Sequence, residues 1–306
     1  MKPNLFIIGA PKTGSTSLYH YLADHPQVYL STDKEPHFFS QDLRAQCQQL
    51  HGKMIKFNYS DISEYEALFE NAGDHKILGE TSTSYLYSTD AAENIHQYNP
   101  DAKIIAILRS PVELLHSWYH YISYTSEEPA KTFPEALSLE ASRKRDLKNI
   151  PDSVWYPQRI FYRELVNFDQ QLQRYYDLFD HDNIKVLLTE DMQADPAGLY
   201  DEVLDFLSLD KHTPDFSRHN VYQDIRFKKL KWIIDNYLSP VKNAVNNSDS
   251  FISKSLRAIY NHSMSKDEQR PSIEVDINQQ LKEEFRPMVE RTEKLVQLNL
   301  LDKWDY

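Results

Sequence analysis

Nine consecutive residues, Gly9-Ala10-Pro11-Lys12-Thr13-Gly14-Ser15-Thr16-Ser17, combine two glycines, a lysine and several hydroxyls. That combination suits an anion. The glycines let the backbone curl around a phosphate, Ser15, Thr16 and Ser17 add hydroxyl donors, and Lys12 adds a full charge. A helix opening there presents free N–H groups and the positive end of its dipole. Gly9 and Gly14 have the spacing of the nucleoside-triphosphate loop G-x-x-x-x-G-K-S/T, but Ser15 follows Gly14 and the lysine lies inside the loop. A magnesium-nucleotide enzyme is therefore disfavoured. A plain strand-to-helix turn would not need the lysine and the hydroxyls together.

Arg109 is the second candidate. It follows the apolar run Ile104-Ile105-Ala106-Ile107-Leu108, at the carboxyl end of an expected central strand, where open α/β sheets bind ligands. Its planar fork can hold a phosphate through two hydrogen bonds. The plain alternative is a surface arginine that closes the strand. Ser117, eight residues on, takes its meaning from its place on the helix after Arg109.

The segment Pro11-Lys12-Thr13-Gly14-Ser15-Thr16 resembles the 5′-phosphosulfate loop of sulfotransferases that use 3′-phosphoadenosine 5′-phosphosulfate (PAPS). Residues 104–121 resemble that family's 3′-phosphate strand and helix, with Arg109 and Ser117 at the hallmark positions. Weaker resemblance covers Val186-Leu187-Leu188-Thr189-Glu190-Asp191-Met192, Asp195-Pro196 and Leu300-Leu301-Asp302-Lys303-Trp304. In motif the chain is similar to the glycan-type enzymes, the heparan sulfate ones among them, and to bacterial stand-alone members. The resemblance implies PAPS as cosubstrate, adenosine 3′,5′-bisphosphate as product, and no metal. It implies sulfuryl transfer to a hydroxyl, with an amine as second choice, on a carbohydrate or other small-molecule alcohol. Donor contacts would come from Lys12, Thr13, Gly14, Ser15, Thr16, Ser17, Arg109 and Ser117. Residues 219–226 resemble the family's late loop over the nucleotide and add Arg226; an exposed basic helix is the alternative for Arg218, Arg226, Lys228 and Lys229.

Transfer to an alcohol needs a base for the hydroxyl proton and positive charge at the leaving phosphate. Lys34-Glu35-Pro36-His37-Phe38-Phe39 supplies candidates soon after the first helix. Glu35 can be the base, Lys12 can stabilise the leaving group, and His37 can orient Glu35 or the acceptor, or act as a second base. Glu35 and His37 match the base and assisting histidine of the glycan-type enzymes. His116 and His120, four apart on one helix face, are rival bases and rank below Glu35. The segment Gly79-Glu80-Thr81-Ser82-Thr83-Ser84-Tyr85-Leu86 resembles a family stretch that reads G-E-K-S-P-x-Y, with Thr81 in place of the lysine and Thr83 in place of the proline. Losing that lysine argues against a highly anionic acceptor.

These residues need a frame that brings them together. Apolar runs at 5–8, 77–79, 104–108 and 184–188 fit strands of a parallel sheet buried on both faces. Helical patterns follow at 15–23, 111–124, 157–179 and 278–298, and a basic one at 226–237, while 243–272 is polar and least legible. Pro111 suits a first helical turn. Alternating strands and helices predict an α/β fold, a single domain over residues 1–306 with a central parallel sheet flanked by helices. Arg143-Lys144-Arg145 with Lys148 reads as a solvated helix face. The net charge of −12 excludes general nucleic-acid binding, which needs a broad basic face. Cys47, the only cysteine, reads as an ordinary thiol. No stretch is long and apolar enough for a signal peptide or membrane span, so the expected location is cytoplasmic. Two other function classes remain: a P-loop nucleotide kinase, and a non-catalytic module that binds adenosine bisphosphate or glycans.

Overall fold

The computed structural model describes residues 1–216 and 271–306, with the backbone of two short strands, Asp224–Ile225 and Ser265–Lys266, between them. Five strands, β1 (Leu5–Gly9), β2 (Val28–Leu30), β3 (Ile77–Thr81), β4 (Lys103–Leu108) and β5 (Ile184–Leu188), form one parallel sheet in the order β2-β3-β1-β4-β5. The first helices are α1 (Ser15–Ala23), α2 (Gln41–His51), α3 (Ile62–Ala67), α4 (Ala91–Tyr98), α5 (Pro111–Tyr124) and α6 (Phe133–Arg145). They are followed by α7 (Tyr162–Leu165), α8 (Phe168–Tyr176), α9 (Thr189–Ala194), α10 (Pro196–Phe206) and a C-terminal helix, Val275–Val296.

Strand side chains alternate between two cores. Phe6, Ile8, Ile104, Ala106 and Leu108 join a core completed by Ile95 of α4, Leu115 of α5, Leu172 of α8 and Val289 of the C-terminal helix. Leu5, Ile7, Ile105 and Ile107 join the other, with Leu18 and Leu22 of α1 and Val203 and Leu204 of α10. Burial on both faces is why these strands read as unbroken apolar runs.

Helices α1 and α5 have the expected bounds, and Pro111 begins α5. The expected helix at 157–179 is instead a 3-10 turn, Pro157–Ile160, followed by α7 and α8. Ile160, Phe161, Tyr162, Leu165, Val166 and Phe168 are all buried, a near-continuous run that one amphipathic helix cannot hide. The three-residue strand β2 is too short to show a pattern of its own. The basic cluster on α6 is only partly solvated. Arg143 is buried and doubly bonded to Glu128 at 2.7 and 2.8 Å, and Lys144 bridges Glu140 and Glu164. Arg218, Arg226, Lys228, Lys229 and the helical expectation at 226–237 lie outside the described residues. Among the described residues no helix is long and apolar enough to cross a membrane.

Candidate active site

Strands β1 and β4 are neighbours, yet the chain leaves β1 toward β2 and leaves β4 toward β5, on opposite sides. Such a switch point opens a crevice beyond the strand ends. The loop 9–14 and Arg109 flank it. Gly14 takes φ 93°, a left-handed backbone that favours glycine, and packs close to the Met192 side chain. As the N-cap of α1, Gly14 offers no side-chain acceptor to the first-turn amides, which leaves that end fit for an anion. Thr13 is buried and donates to Ala10 O at 2.6 Å. The Thr189 hydroxyl is shared between Thr13 O and Leu108 O, 2.9 Å from each, and ties the loop to the end of β4. Arg109 donates to Lys12 O at 3.3 Å and to Glu113 at 3.1 Å. Ser117 is buried, and among the described residues its hydroxyl has no hydrogen-bond partner. The Lys12 ammonium sits 4.8 Å from the ring centroid of Tyr121, on the same helix as Ser117.

Beside this crevice lies the segment that carries Glu35 and His37. Lys12, Glu35 and His37 all have left-handed backbone, with φ of 64°, 64° and 55°. Each such residue costs about 1–3 kcal/mol and persists only where its surroundings determine it. Here the surroundings are the end of β3 and the turn after it. Glu35 N donates to Thr81 O at 2.9 Å and His37 N donates to Ser82 Oγ at 3.1 Å. Thr83 Oγ1 donates to Glu35 Oε2 at 3.0 Å, and His37 Nδ1 lies 2.8 Å from Ser84 Oγ. His37 Nε2 is 3.6 Å from Glu35 Oε2, and Lys34 Nζ is 3.4 Å from Oε1. Burial pulls the Glu35 carboxyl up, but His37, Lys34 and the Thr83 hydroxyl pull it further down, below the usual carboxylate range. Burial pushes the His37 imidazole below its usual value against the pull of Glu35. At neutral pH the pair is an ionised carboxylate beside a neutral imidazole.

A cleft opens on this pair, lined by Pro11 of the loop, Glu35, His37, Thr83, Tyr87, Trp118, Tyr156, Gln158 and Arg159. Arg159 is buried under aromatic rings, 4.2 Å from the Trp155 centroid and 4.8 Å from that of Trp118. Its Nη2 donates to Glu127 at 2.8 Å, and its Nε donates to the same carboxylate. Two adjacent carboxylates, Glu127 and Glu128, thus each hold one buried arginine, and the one held by Glu127 lines the cleft. His116 and His120 are paired with each other, Nε2 to Nε2 at 3.1 Å, and do not line it.

An uncapped glycine loop and a strand-end arginine flank the switch point, and a carboxylate–imidazole pair lies beside it. The family model described as the sulfotransferase domain matches residues 2–293. The chain belongs to the sulfotransferase domain family. It is 28% identical over 215 residues to human heparan sulfate glucosamine 3-O-sulfotransferase 6, covering 69% of this chain and 55% of that protein. It is 29% identical over 171 residues to mouse carbohydrate sulfotransferase 15, covering 44% of this chain and 30% of that protein. The chain thus spans between about a quarter and about a half of the length of the curated relatives it matches. A solved sulfotransferase from Alicyclobacillus acidocaldarius superposes with a TM-score of 0.74 at 25% identity, over the whole of both chains.

Within this sulfotransferase fold, Lys12, Thr13, Gly14, Ser15, Thr16 and Ser17 form one loop and helix start, Arg109 and Ser117 flank it from β4 and α5, and Glu35 and His37 face the cleft. Arg226 is outside the described residues, although the strand just before it, Asp224–Ile225, packs on α5. Sequence reasoning missed Arg159, which lies in the 3-10 turn Pro157–Ile160, and Glu127, which lies in irregular chain. It also left Glu80 without a task, although that carboxyl is fully buried at the end of β3.

Proposed function

We propose that this protein transfers the sulfuryl group of PAPS to a hydroxyl of a weakly charged carbohydrate. The observation that carries the reading is the shared cleft: the phosphate-type loop contributes Pro11 to the same opening that Glu35 and His37 face. The residues also suit the donor. The buried Ser117 hydroxyl, without a partner among the described residues, and the Arg109 guanidinium offer donors to a 3′-phosphate. The uncapped start of α1 and Lys12 offer positive potential to the 5′-phosphosulfate.

In the reaction, the acceptor oxygen attacks sulfur while the bond from sulfur to the bridging phosphate oxygen breaks. Its electron pair leaves with adenosine 3′,5′-bisphosphate, where Lys12 and the loop amides meet the developing charge. Glu35 takes the acceptor proton, and His37 beside it holds the carboxylate in place. Catalysis then rests on positioning and charge stabilisation, as in phosphoryl transfer. For the acceptor, Thr81 stands where the family pattern has a lysine, and Arg159 is already matched by Glu127. Neither offers a spare cation to a sulfated or carboxylated sugar.

The test is label transfer from sulfur-labelled PAPS, in chelator, to a panel containing neutral disaccharides, heparan disaccharides, amino sugars and simple alcohols. Label on neutral hydroxyls is expected. Transfer confined to heparan disaccharides would overturn the acceptor class, and activity lost in chelator and restored by magnesium would overturn the metal-free reading.

A further inference from the structure

The loop that carries Glu35 and His37 is held by hydroxyls whose own direction is set by one buried carboxylate. Glu80 is fully buried and accepts from three hydroxyls: Tyr85 at 2.6 Å, Ser82 at 2.7 Å and Tyr65 at 3.0 Å. Two of the three have a second task. Ser82 Oγ accepts His37 N–H at 3.1 Å, and Tyr85 OH accepts Phe39 N–H at 3.3 Å. A hydroxyl has a single proton. Because Glu80 takes the protons of Ser82 and Tyr85, the lone pairs of both oxygens are left facing the loop amides. Chains of this kind polarise each bond in turn. The third donor, Tyr65, accepts no loop amide and so is a built-in control.

We infer that Glu80 is a positioning residue for sulfuryl transfer: through Ser82 and Tyr85 it fixes the left-handed segment that presents Glu35 and His37 to the acceptor. No charge or atom passes from Glu80 to substrate. Its effect is on where the base stands, and a displacement of about 1 Å can cost about 10²-fold in rate. The inference rests on Glu35 being the base, and the experiment separates the two.

Ser82→Ala, Tyr85→Phe, Tyr65→Phe and Glu35→Gln are assayed with sulfur-labelled PAPS and the pooled acceptor panel, with rates expressed per nucleotide-binding site titrated by calorimetry. That normalisation removes any fraction that fails to fold. Ser82→Ala and Tyr85→Phe are expected to lose about 10-fold or more in kcat with PAPS affinity unchanged, while Tyr65→Phe stays within about threefold of wild type. Equal losses in all three would reduce Glu80 to a structural carboxylate and overturn the inference. Wild-type kcat in Ser82→Ala and Tyr85→Phe beside an inactive Glu35→Gln would overturn it while leaving the base assignment intact. An active Glu35→Gln would overturn the base assignment itself.

Discussion

At the scale of single residues, the site concentrates unfavourable choices. Lys12, Glu35 and His37 take backbone that L-residues avoid, and Glu80 carries a carboxyl into the buried interior. Burial pushes Glu80 up to about 7, although the hydroxyls of Tyr85, Ser82 and Tyr65 favour its ionised form. A folded value raised above the usual one near 4.5 has a definite sign. Between those values the native protein keeps a proton that the unfolded chain releases, so this group's contribution to stability falls as pH rises through the window. The shift corresponds to roughly 3 kcal/mol. Urea unfolding of wild type and Glu80→Gln at pH 4.5 and pH 8 should show the wild type losing up to about that much relative to the variant. A difference independent of pH would mean that Glu80 is not held against its charge. Little of this was legible in the sequence. Glu35 and His37 stood out by residue type and spacing, but Glu80 acts through contacts between residues 35–39 and 80–85, which leave no periodic trace.

At the scale of elements, two strand–loop–helix units do the positioning. Both were legible because unbroken apolar strands run into Gly9 and Gly14 or into Pro111, residues that announce a loop or a helix start. The cleft wall was not legible. Arg159 is held in a short turn by Glu127 from irregular chain, and Arg143, which looked like a surface charge, is buried against Glu128. Only the fold reveals such pairings, because an arginine bound for the interior has the same side chain as one in water. The unit β4–α5 carries the nucleotide assignment. Wild type should bind adenosine 3′,5′-bisphosphate more tightly than adenosine 5′-phosphate by about 1.5–3 kcal/mol, the range for hydrogen bonds to a charged group. Arg109→Ala should remove most of that preference in calorimetry. Equal affinity of wild type for the two nucleotides would detach Arg109 and Ser117 from the 3′-phosphate.

At the scale of the whole molecule, the proposed function requires a chain with net charge −12 to attract a highly charged anion. It can do so only where local donors outweigh the general field. The switch point between β1 and β4 is such a place, because it gathers Lys12, Arg109 and the start of α1. In the proposed function the work is divided: the loop and Arg109 hold the donor and its leaving group, and Glu35 deprotonates the acceptor. That division is the central claim, and single turnover of Glu35→Gln with bound labelled PAPS tests it most directly. The variant should bind the nucleotide as wild type does and transfer label about 10²–10⁴-fold more slowly, the span of general-base catalysis. Transfer at the wild-type rate with unchanged affinity would contradict it.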